Sequence, residues 1–99
     1  AAAPTDAPAA RASRAVTFAG EGVTETERVL GQVWADLLGV DTLARETEFG
    51  DIGGDSLTAL DIAEAVEARL GARLDTRDFI DHPSLAGLAN RIDELRRAG

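Results

Sequence analysis

The chain has 99 residues, 44% of them hydrophobic, and a formal net charge of −8 at pH 7. This length suits one small domain, and a core rich in aliphatic rather than aromatic side chains favours helices over sheets. The absence of cysteine excludes disulfides and thiolate metal sites, and His82 is the only histidine. We therefore expect neither a metal site nor a catalytic serine–histidine pair.

The first 22 residues are rich in alanine, proline, glycine and serine and show no apolar periodicity. This composition predicts a flexible linker or tail over residues 1–22, followed by a folded domain over residues 23–99. Val16 and Phe18 are the tail residues that we expect to dock on the domain. Because the chain does not begin with methionine, we expect it to be a segment of a longer protein.

The first helix is predicted from about Glu25 to Leu38. Thr24 can cap it, because Glu27 follows three residues later and completes a capping box. Apolar residues recur at helical spacing and form one stripe: Val29, Leu30, Val33, Trp34, Leu37 and Leu38. Gly39 follows the stripe, where a left-handed glycine commonly ends a helix.

Residues 39–54 form a long connection, which usually indicates a functional loop or a short helical turn of its own. Its apolar anchors are Leu43, Phe49 and Ile52. Glycines allow sharp turns before the next helix, at Gly50, Gly53 and Gly54.

The second helix is predicted from about Ser56 to Leu70, with Asp55 as its N-cap and Gly71 after its end. One face is apolar: Ala59, Ile62, Ala63, Val66 and Leu70, with Leu57 and Leu60 beside it. Asp61, Glu64 and Glu67 lie on the opposite side.

A short helical turn follows the connecting anchor Leu74 and is capped by Asp75 or Thr76. Pro83 ends it, because the residue before a proline avoids helical geometry. Ser84 caps a last helix that reaches about Arg97. No segment alternates as a strand would, so the predicted fold class is all-α: a small four-helix bundle of three longer helices and one short helix, with a long first loop.

Negative charge is concentrated around the start of the second helix. Residues 36–67 contain nine acidic residues and one basic residue, Arg45. Phosphate would be repelled by such a surface, so nucleic acid is not an expected partner. A basic protein surface is an expected partner, because complementary charge steers the encounter of two proteins. The alternative interpretation is that the acidic face only keeps a small domain soluble.

Ser56, in the sequence GDIGGDSL, allows three interpretations. As a nucleophile of the GDSL type of esterase it would need strands, a base and an oxyanion site, and the pair Asp81-His82 has the wrong spacing for that family. As a helix cap it would need no special surroundings. As a modification site it presents a hydroxyl at a helix N-terminus, where N–H groups and the helix dipole favour an attached phosphate.

The chain resembles the acyl and peptidyl carrier proteins over about residues 23–97. The resemblance rests on Phe49, on the motif Gly54-Asp55-Ser56-Leu57, on a glycine-ended second helix, and on Phe79-x-x-His82-Pro83-Ser84-Leu85. It implies a four-helix bundle without catalysis of its own. It also implies 4′-phosphopantetheine on Ser56, added from coenzyme A by a phosphopantetheinyl transferase.

The resemblance also assigns roles to the neighbours of the serine. Gly54, Asp55 and Leu57 would surround the cofactor attachment, and Asp55 would lie next to the metal site of the transferase. Leu57, Leu60 and Asp61, with Glu64 as a further acidic candidate, would form the recognition face for ketosynthase, acyltransferase or other synthase domains.

Within the family, Thr58-Ala59-Leu60 and the acidic second helix resemble acyl carrier domains of polyketide synthases. Gly53-Gly54 before the motif also occurs in peptidyl and aryl carriers of nonribosomal peptide synthetases, which are the alternative. An esterase and an unmodified helical adaptor domain are more remote alternatives. Without a membrane-spanning run or a signal peptide, the expected location is cytoplasmic, with no membrane partner, and the isolated domain is expected to be monomeric.

Overall fold

The computed structural model describes residues 15–98 and contains four helices in that range. In chain order the elements are β1 (Thr17–Ala19), α1 (Glu25–Leu38), β2 (Thr42–Ala44), a short 3-10 helix (Phe49–Ile52), α2 (Ser56–Leu70), α3 (Thr76–Asp81) and α4 (Leu85–Ala98). The all-α bundle of three longer helices and one short helix is therefore confirmed. Most of the predicted tail, residues 1–14, lies outside the described residues.

Local capping explains why the helices begin and end where they do. The Thr24 hydroxyl oxygen accepts the Glu27 N–H at 3.1 Å, and the Glu27 carboxylate accepts the Thr24 N–H at 3.1 Å, which completes the predicted capping box. Gly39 and Gly71 end α1 and α2 in the left-handed region, with φ of 76° and 73°. Asp75 caps α3, and the Ser84 hydroxyl accepts the Gly87 N–H at 3.0 Å at the start of α4.

The core lies between the apolar faces of α1, α2 and α4, and the long loop and α3 close one side of it. The fully buried large side chains are Trp34, Leu30, Leu43, Ile62, Leu85, Leu88, Ile92, Val33 and Val66. Phe49 links the loop to the core, since its ring packs 5.8 Å from Trp34 and 4.9 Å from Phe79, centroid to centroid. None of the helices within residues 15–98 is long and apolar enough to cross a membrane.

The expectation that no segment forms a strand is wrong at two places. β1 and β2 pair in parallel, with Thr17 opposite Thr42 and Ala19 opposite Ala44. Each strand has three residues, which is too short for an alternating pattern to be visible in sequence. β1 lies within the segment that composition assigned to the tail, and Phe18 packs against the core as expected. The boundary between residues 22 and 23 stays a prediction.

The long first loop is held to the α3–α4 connection and to the first turn of α4. The Phe49 N–H donates to the Pro83 carbonyl oxygen at 2.8 Å. The N–H groups of Leu85 and Ala86 donate to the carbonyl oxygens of Thr47 and Arg45, each at 2.9 Å. These bonds place the 3-10 helix, and with it the start of α2, in a defined position on the bundle.

Candidate functional site

Ser56 is the first residue of α2 and is exposed to solvent. The cap of this helix is Asp55, whose Oδ1 accepts the Thr58 N–H at 2.9 Å and the Thr58 hydroxyl at 2.8 Å. Asp55, and not Ser56, is therefore the residue that caps α2. Because Asp55 satisfies the helix start, the Ser56 hydroxyl is available at the surface for chemistry.

Asp55 is held in its charged form. The Thr58 N–H is the main group that lowers the pKa of Asp55 from its ordinary value of 3.8, followed by the Thr58 hydroxyl. At neutral pH the residue before Ser56 is thus a carboxylate at the protein surface. It can attract a cation brought by a partner without the cost of removing a proton.

Two glycines before the serine are required for different reasons. Gly53 has φ of 93° and ends the 3-10 helix in the left-handed region. Gly54 has no such backbone demand, but a Cβ there would lie 2.5 Å from the ring atoms of Phe49. Its N–H also donates to the Phe49 carbonyl oxygen at 3.0 Å. Gly54, which precedes the N-cap Asp55, therefore packs directly against the Phe49 ring.

A cavity of about 410 Å³ lies beside Ser56. It is lined by Glu48, Phe49, Gly50, Asp55, Ser56, Ala59, Thr76, Phe79, Ile80 and Pro83. The walls are mainly apolar, while Glu48, Asp55, Ser56 and Thr76 carry side-chain oxygen atoms. A long chain attached to the serine oxygen would find a surface here to lie against, and a phosphate at its root would lie at the N-terminus of α2. The residues present thus fit a phosphopantetheine group.

The candidate recognition residues are all exposed, and they recur at helical spacing along α2. Leu57 is 73% exposed next to Ser56, and Leu60 borders a depression formed with Leu74 and Thr76. Asp61 and Glu64 instead line a groove between α1 and α2. Leu57 and Asp61 are one helical turn apart, as are Leu60 and Glu64, so the four residues lie along one outward face of α2.

Ile80 is a surface residue that sequence reasoning missed. It is 74% exposed in α3 and lines the cavity at Ser56 together with Phe79. The available signal was its place beside Phe79 in a helix of six residues, where only one face can be buried. Ile80 therefore adds exposed apolar area to the wall of the cavity at Ser56.

The catalytic features that a GDSL-type esterase requires are not found within residues 15–98. No histidine is among the described residues that line the cavity at Ser56. The two strands of three residues pair only with each other and do not make the sheet on which such enzymes place a serine. The chemistry that the site supports is attachment of a group to an exposed hydroxyl.

Comparison with known proteins shows the family to which the chain belongs. The family described as "Phosphopantetheine attachment site" matches residues 28–92. A phenolphthiocerol/phthiocerol polyketide synthase from Mycobacterium tuberculosis is 38% identical over 78 residues, and nonribosomal peptide synthetase 5 from Aspergillus fumigatus is 39% identical over 77 residues. These matches cover 79% and 73% of this chain but only 5% and 4% of the two relatives.

The fold is also found among solved structures. BlmI, a type-II acyl carrier protein from Streptomyces verticillus, superposes with a TM-score of 0.64 over 93% of this chain and 95% of its own, at 24% identity. At that identity the likeness shows the fold alone. Together with the family match, it identifies the chain as a carrier protein domain of the polyketide synthase and nonribosomal peptide synthetase type, a member of the phosphopantetheine attachment family, whose cofactor is covalently attached 4′-phosphopantetheine.

Proposed function

We propose that Ser56 carries the 4′-phosphopantetheine and that the chain is an acyl carrier domain of a polyketide synthase. The observation that carries the proposal is the exposed Ser56 hydroxyl at the first residue of α2, next to an apolar cavity and inside the segment that matches the family. The thiol at the end of the arm would hold biosynthetic intermediates as thioesters. The chain contains no cysteine, so this thiol supplies the sulfur that thioester chemistry needs.

The attachment step uses coenzyme A and a phosphopantetheinyl transferase. The Ser56 oxygen forms a new bond to the phosphorus that bears pantetheine, the bond from that phosphorus to adenosine 3′,5′-bisphosphate breaks, and the serine proton leaves to a base of the transferase. The carrier contributes the hydroxyl and the N-terminal end of α2, whose dipole favours the phosphodiester charge. The ionised Asp55 would face the metal site of the transferase.

The chain itself is proposed to be non-catalytic. Ketosynthase, acyltransferase and other synthase domains would act on the bound intermediate, and the carrier would present it to each of them. Weak, charge-steered contacts suit this role, because each partner must be released before the next one binds. Leu57, Leu60, Asp61 and Glu64 are the proposed contacts, and the exposed Ile80 joins them.

The polyketide assignment is supported by the sequence Thr58-Ala59-Leu60, by the acidic second helix and by the 38% identity to a mycobacterial polyketide synthase. A peptidyl carrier is the second candidate, favoured by the 39% identity to a nonribosomal peptide synthetase. Incubating the phosphopantetheinylated chain with a malonyl-transferring acyltransferase, and separately with an amino-acid-activating domain, distinguishes them by the mass of the thioester formed. Malonyl loading supports the first candidate and aminoacyl loading the second.

The test of Ser56 is intact-protein mass spectrometry after incubation with coenzyme A and a transferase of broad specificity. We expect one phosphopantetheine adduct on the wild-type chain and none on Ser56→Ala. Ser84→Ala is the matched control, because Ser84 also stands at the beginning of a helix, and it should keep the adduct. An adduct on Ser56→Ala, or none on the wild type, would refute the assignment.

A further inference from the structure

Residues 15–19, the N-terminal strap, lie against the bundle and are joined to it by a small contact. Val16 and Phe18 are half-buried and pack against the core, while the other three residues of the strap are exposed. The strap pairs in parallel with β2 over three residues, and the Thr17 N–H donates to the Asp41 carbonyl oxygen at 2.9 Å. Two half-buried side chains and a short ladder therefore hold this segment on the domain.

Residues 20–22, the hinge, join the strap to α1 and add little to its attachment. Gly20, Glu21 and Gly22 are all exposed, and a Cβ at either glycine would meet no atom within 4 Å. Both glycines have φ in the left-handed region, 87° and 83°. Glycine adopts such a backbone without strain and has the widest conformational freedom of all residues. The hinge is therefore a turn that can open without the loss of a packed side chain.

The bundle does not depend on the strap for its core or for its helix ends. Within residues 15–98, every fully buried large side chain lies between positions 30 and 92. α1 begins after the hinge with its own capping box, which Thr24 and Glu27 form. β2 has attachments besides β1, because Leu43 is buried in the core and Arg45 pairs with Glu27 at 2.9 Å. Loss of the strap contacts therefore leaves the helices and the long loop in place.

We propose that the strap detaches from the bundle as a unit and that the contact of the Phe18 ring with Gly31 controls its docking. A Cβ at position 31 would lie 2.5 Å from that ring, so glycine leaves the space that the ring fills. The guanidinium of Arg28 lies 5.9 Å from the ring centroid and adds a cation–π contact. The conformational entropy lost on ordering the strap and the hinge opposes these contacts. Release of the strap is therefore much less costly than unfolding of the bundle.

Release changes the length of chain between the bundle and the residues that precede the strap. In the docked form the chain leaves the domain at Ala15, and in the released form it leaves at Val23, just before α1. Residues 15–22 then extend this connection by up to about 26 Å. Under the proposed function, the longer connection lets the arm at Ser56 reach a more distant partner, and the docked strap shortens that reach.

The first test measures the position of the strap by pulsed electron paramagnetic resonance on the full-length chain. The chain has no cysteine, so Ala15→Cys and Ala68→Cys place one spin label on the strap and one on an exposed position of α2. We expect a narrow distance distribution from the docked strap. Phe18→Ala should reduce this narrow component at least about fivefold in favour of a broad one. Gly31→Ala, which fills the space of the ring from the side of α1, should act in the same direction.

The matched control is Thr17→Ala, because Thr17 is exposed in the same strand and its backbone bonds remain. It should change the narrow component less than about twofold. A narrow component that survives unchanged in Phe18→Ala, or a single broad distribution in the chain without further substitutions, would overturn the proposal.

The second test is hydrogen exchange, which separates release of the strap from unfolding of the bundle. The Thr17 amide should exchange at least about 100 times faster than the amide of Ile62, in the buried face of α2. Because the released form keeps the bundle, Phe18→Ala should speed exchange at Ile62 by no more than the factor by which docking protects Thr17.

Equal exchange at the two amides, or a larger effect of Phe18→Ala at Ile62, would show that the strap unfolds only together with the bundle, and the proposal would then be wrong. Neither coenzyme A nor a transferase is present in these tests. Their outcome is therefore separate from the assignment of Ser56.

Discussion

At the residue scale, the environment of Ser56 depends on its three preceding residues, each in a different way. Gly53 supplies a left-handed turn, Gly54 supplies space for an aromatic ring, and Asp55 supplies the helix cap. The Phe49 ring cannot easily move away from Gly54, because it packs between Trp34 and Phe79. The path of the chain into α2 is therefore determined by a rigid aromatic contact rather than by turn preference alone.

We predict that Gly54→Ala disturbs this entry into α2. The added methyl group would lie 2.5 Å from Phe49 ring atoms, so we expect a loss of stability of about 1–3 kcal/mol and slower phosphopantetheine addition. Urea denaturation and time-resolved mass spectrometry measure the two effects. Gly50→Ala is the control, because its Cβ meets nothing within 4 Å and its φ is not positive. Equal modification rates for Gly54→Ala and the wild type would contradict the contact argument.

At the element scale, β1 joins the domain through a close approach to α1. The Phe18 ring lies against Gly31, where a Cβ would be only 2.5 Å from it, and the guanidinium of Arg28 lies 5.9 Å from the ring centroid. The Thr17 N–H donates to the Asp41 carbonyl oxygen at 2.9 Å. A glycine inside a helix normally costs stability, so its presence at position 31 is explained by the ring of Phe18.

We predict that the effect of Gly31→Ala changes sign with residue 18. In the wild-type chain the methyl group displaces Phe18, so the free energy of unfolding should fall and the Thr17 amide should exchange faster. In the Phe18→Ala background the space is free, and Gly31→Ala should raise the free energy of unfolding by up to about 1 kcal/mol through helix propensity alone. A double-mutant cycle followed by urea denaturation measures the coupling, and additive effects would show that the two residues do not interact.

At the scale of the whole molecule, a few ion pairs fasten the connecting segments to the bundle. The Arg45 Nε lies 2.9 Å from Oε1 of Glu27, whose side chain is only 3% exposed, and this pair ties the long loop to the first turn of α1. The Arg91 Nε lies 3.0 Å from Oδ1 of Asp78 and ties α3 to α4. The two ion pairs thus hold the long loop and α3, which both line the cavity at Ser56.

We predict that Arg45→Ala destabilises the protein by about 1–3 kcal/mol, because it leaves a buried carboxylate with fewer partners. The loop amides that bond to the α3–α4 connection, such as that of Phe49, should then exchange faster. Arg73→Ala is the comparison: its pair with Glu67 has a similar distance, 3.2 Å, but the arginine side chain is 85% exposed. Its removal should cost less than about 1 kcal/mol. Equal losses in urea denaturation would show that burial of Glu27 is irrelevant.

The sequence by itself determined the elements whose causes are local. Helix starts and ends were predictable because Thr24, Asp55, Gly39 and Gly71 act on backbone groups within a few residues of themselves. The apolar face of α2 was predictable because helical periodicity can be read from the spacing of residues in the chain. The attachment motif was recognisable for the same reason: Gly54, Asp55 and Ser56 are neighbours in the chain.

Only the tertiary structure decided features that join distant residues. The pairing of β1 with β2 joins residues 17–19 to residues 42–44, and no local pattern announces it. The depressions that these exposed residues border depend on the neighbouring elements: Leu60 borders one with Leu74 and Thr76, and Asp61 and Glu64 border one with α1. The exposure of Leu37 and Ile80 likewise depends on where neighbouring elements end. Long-range packing settles these points, because periodicity shows that a residue is apolar but not whether a neighbour covers it.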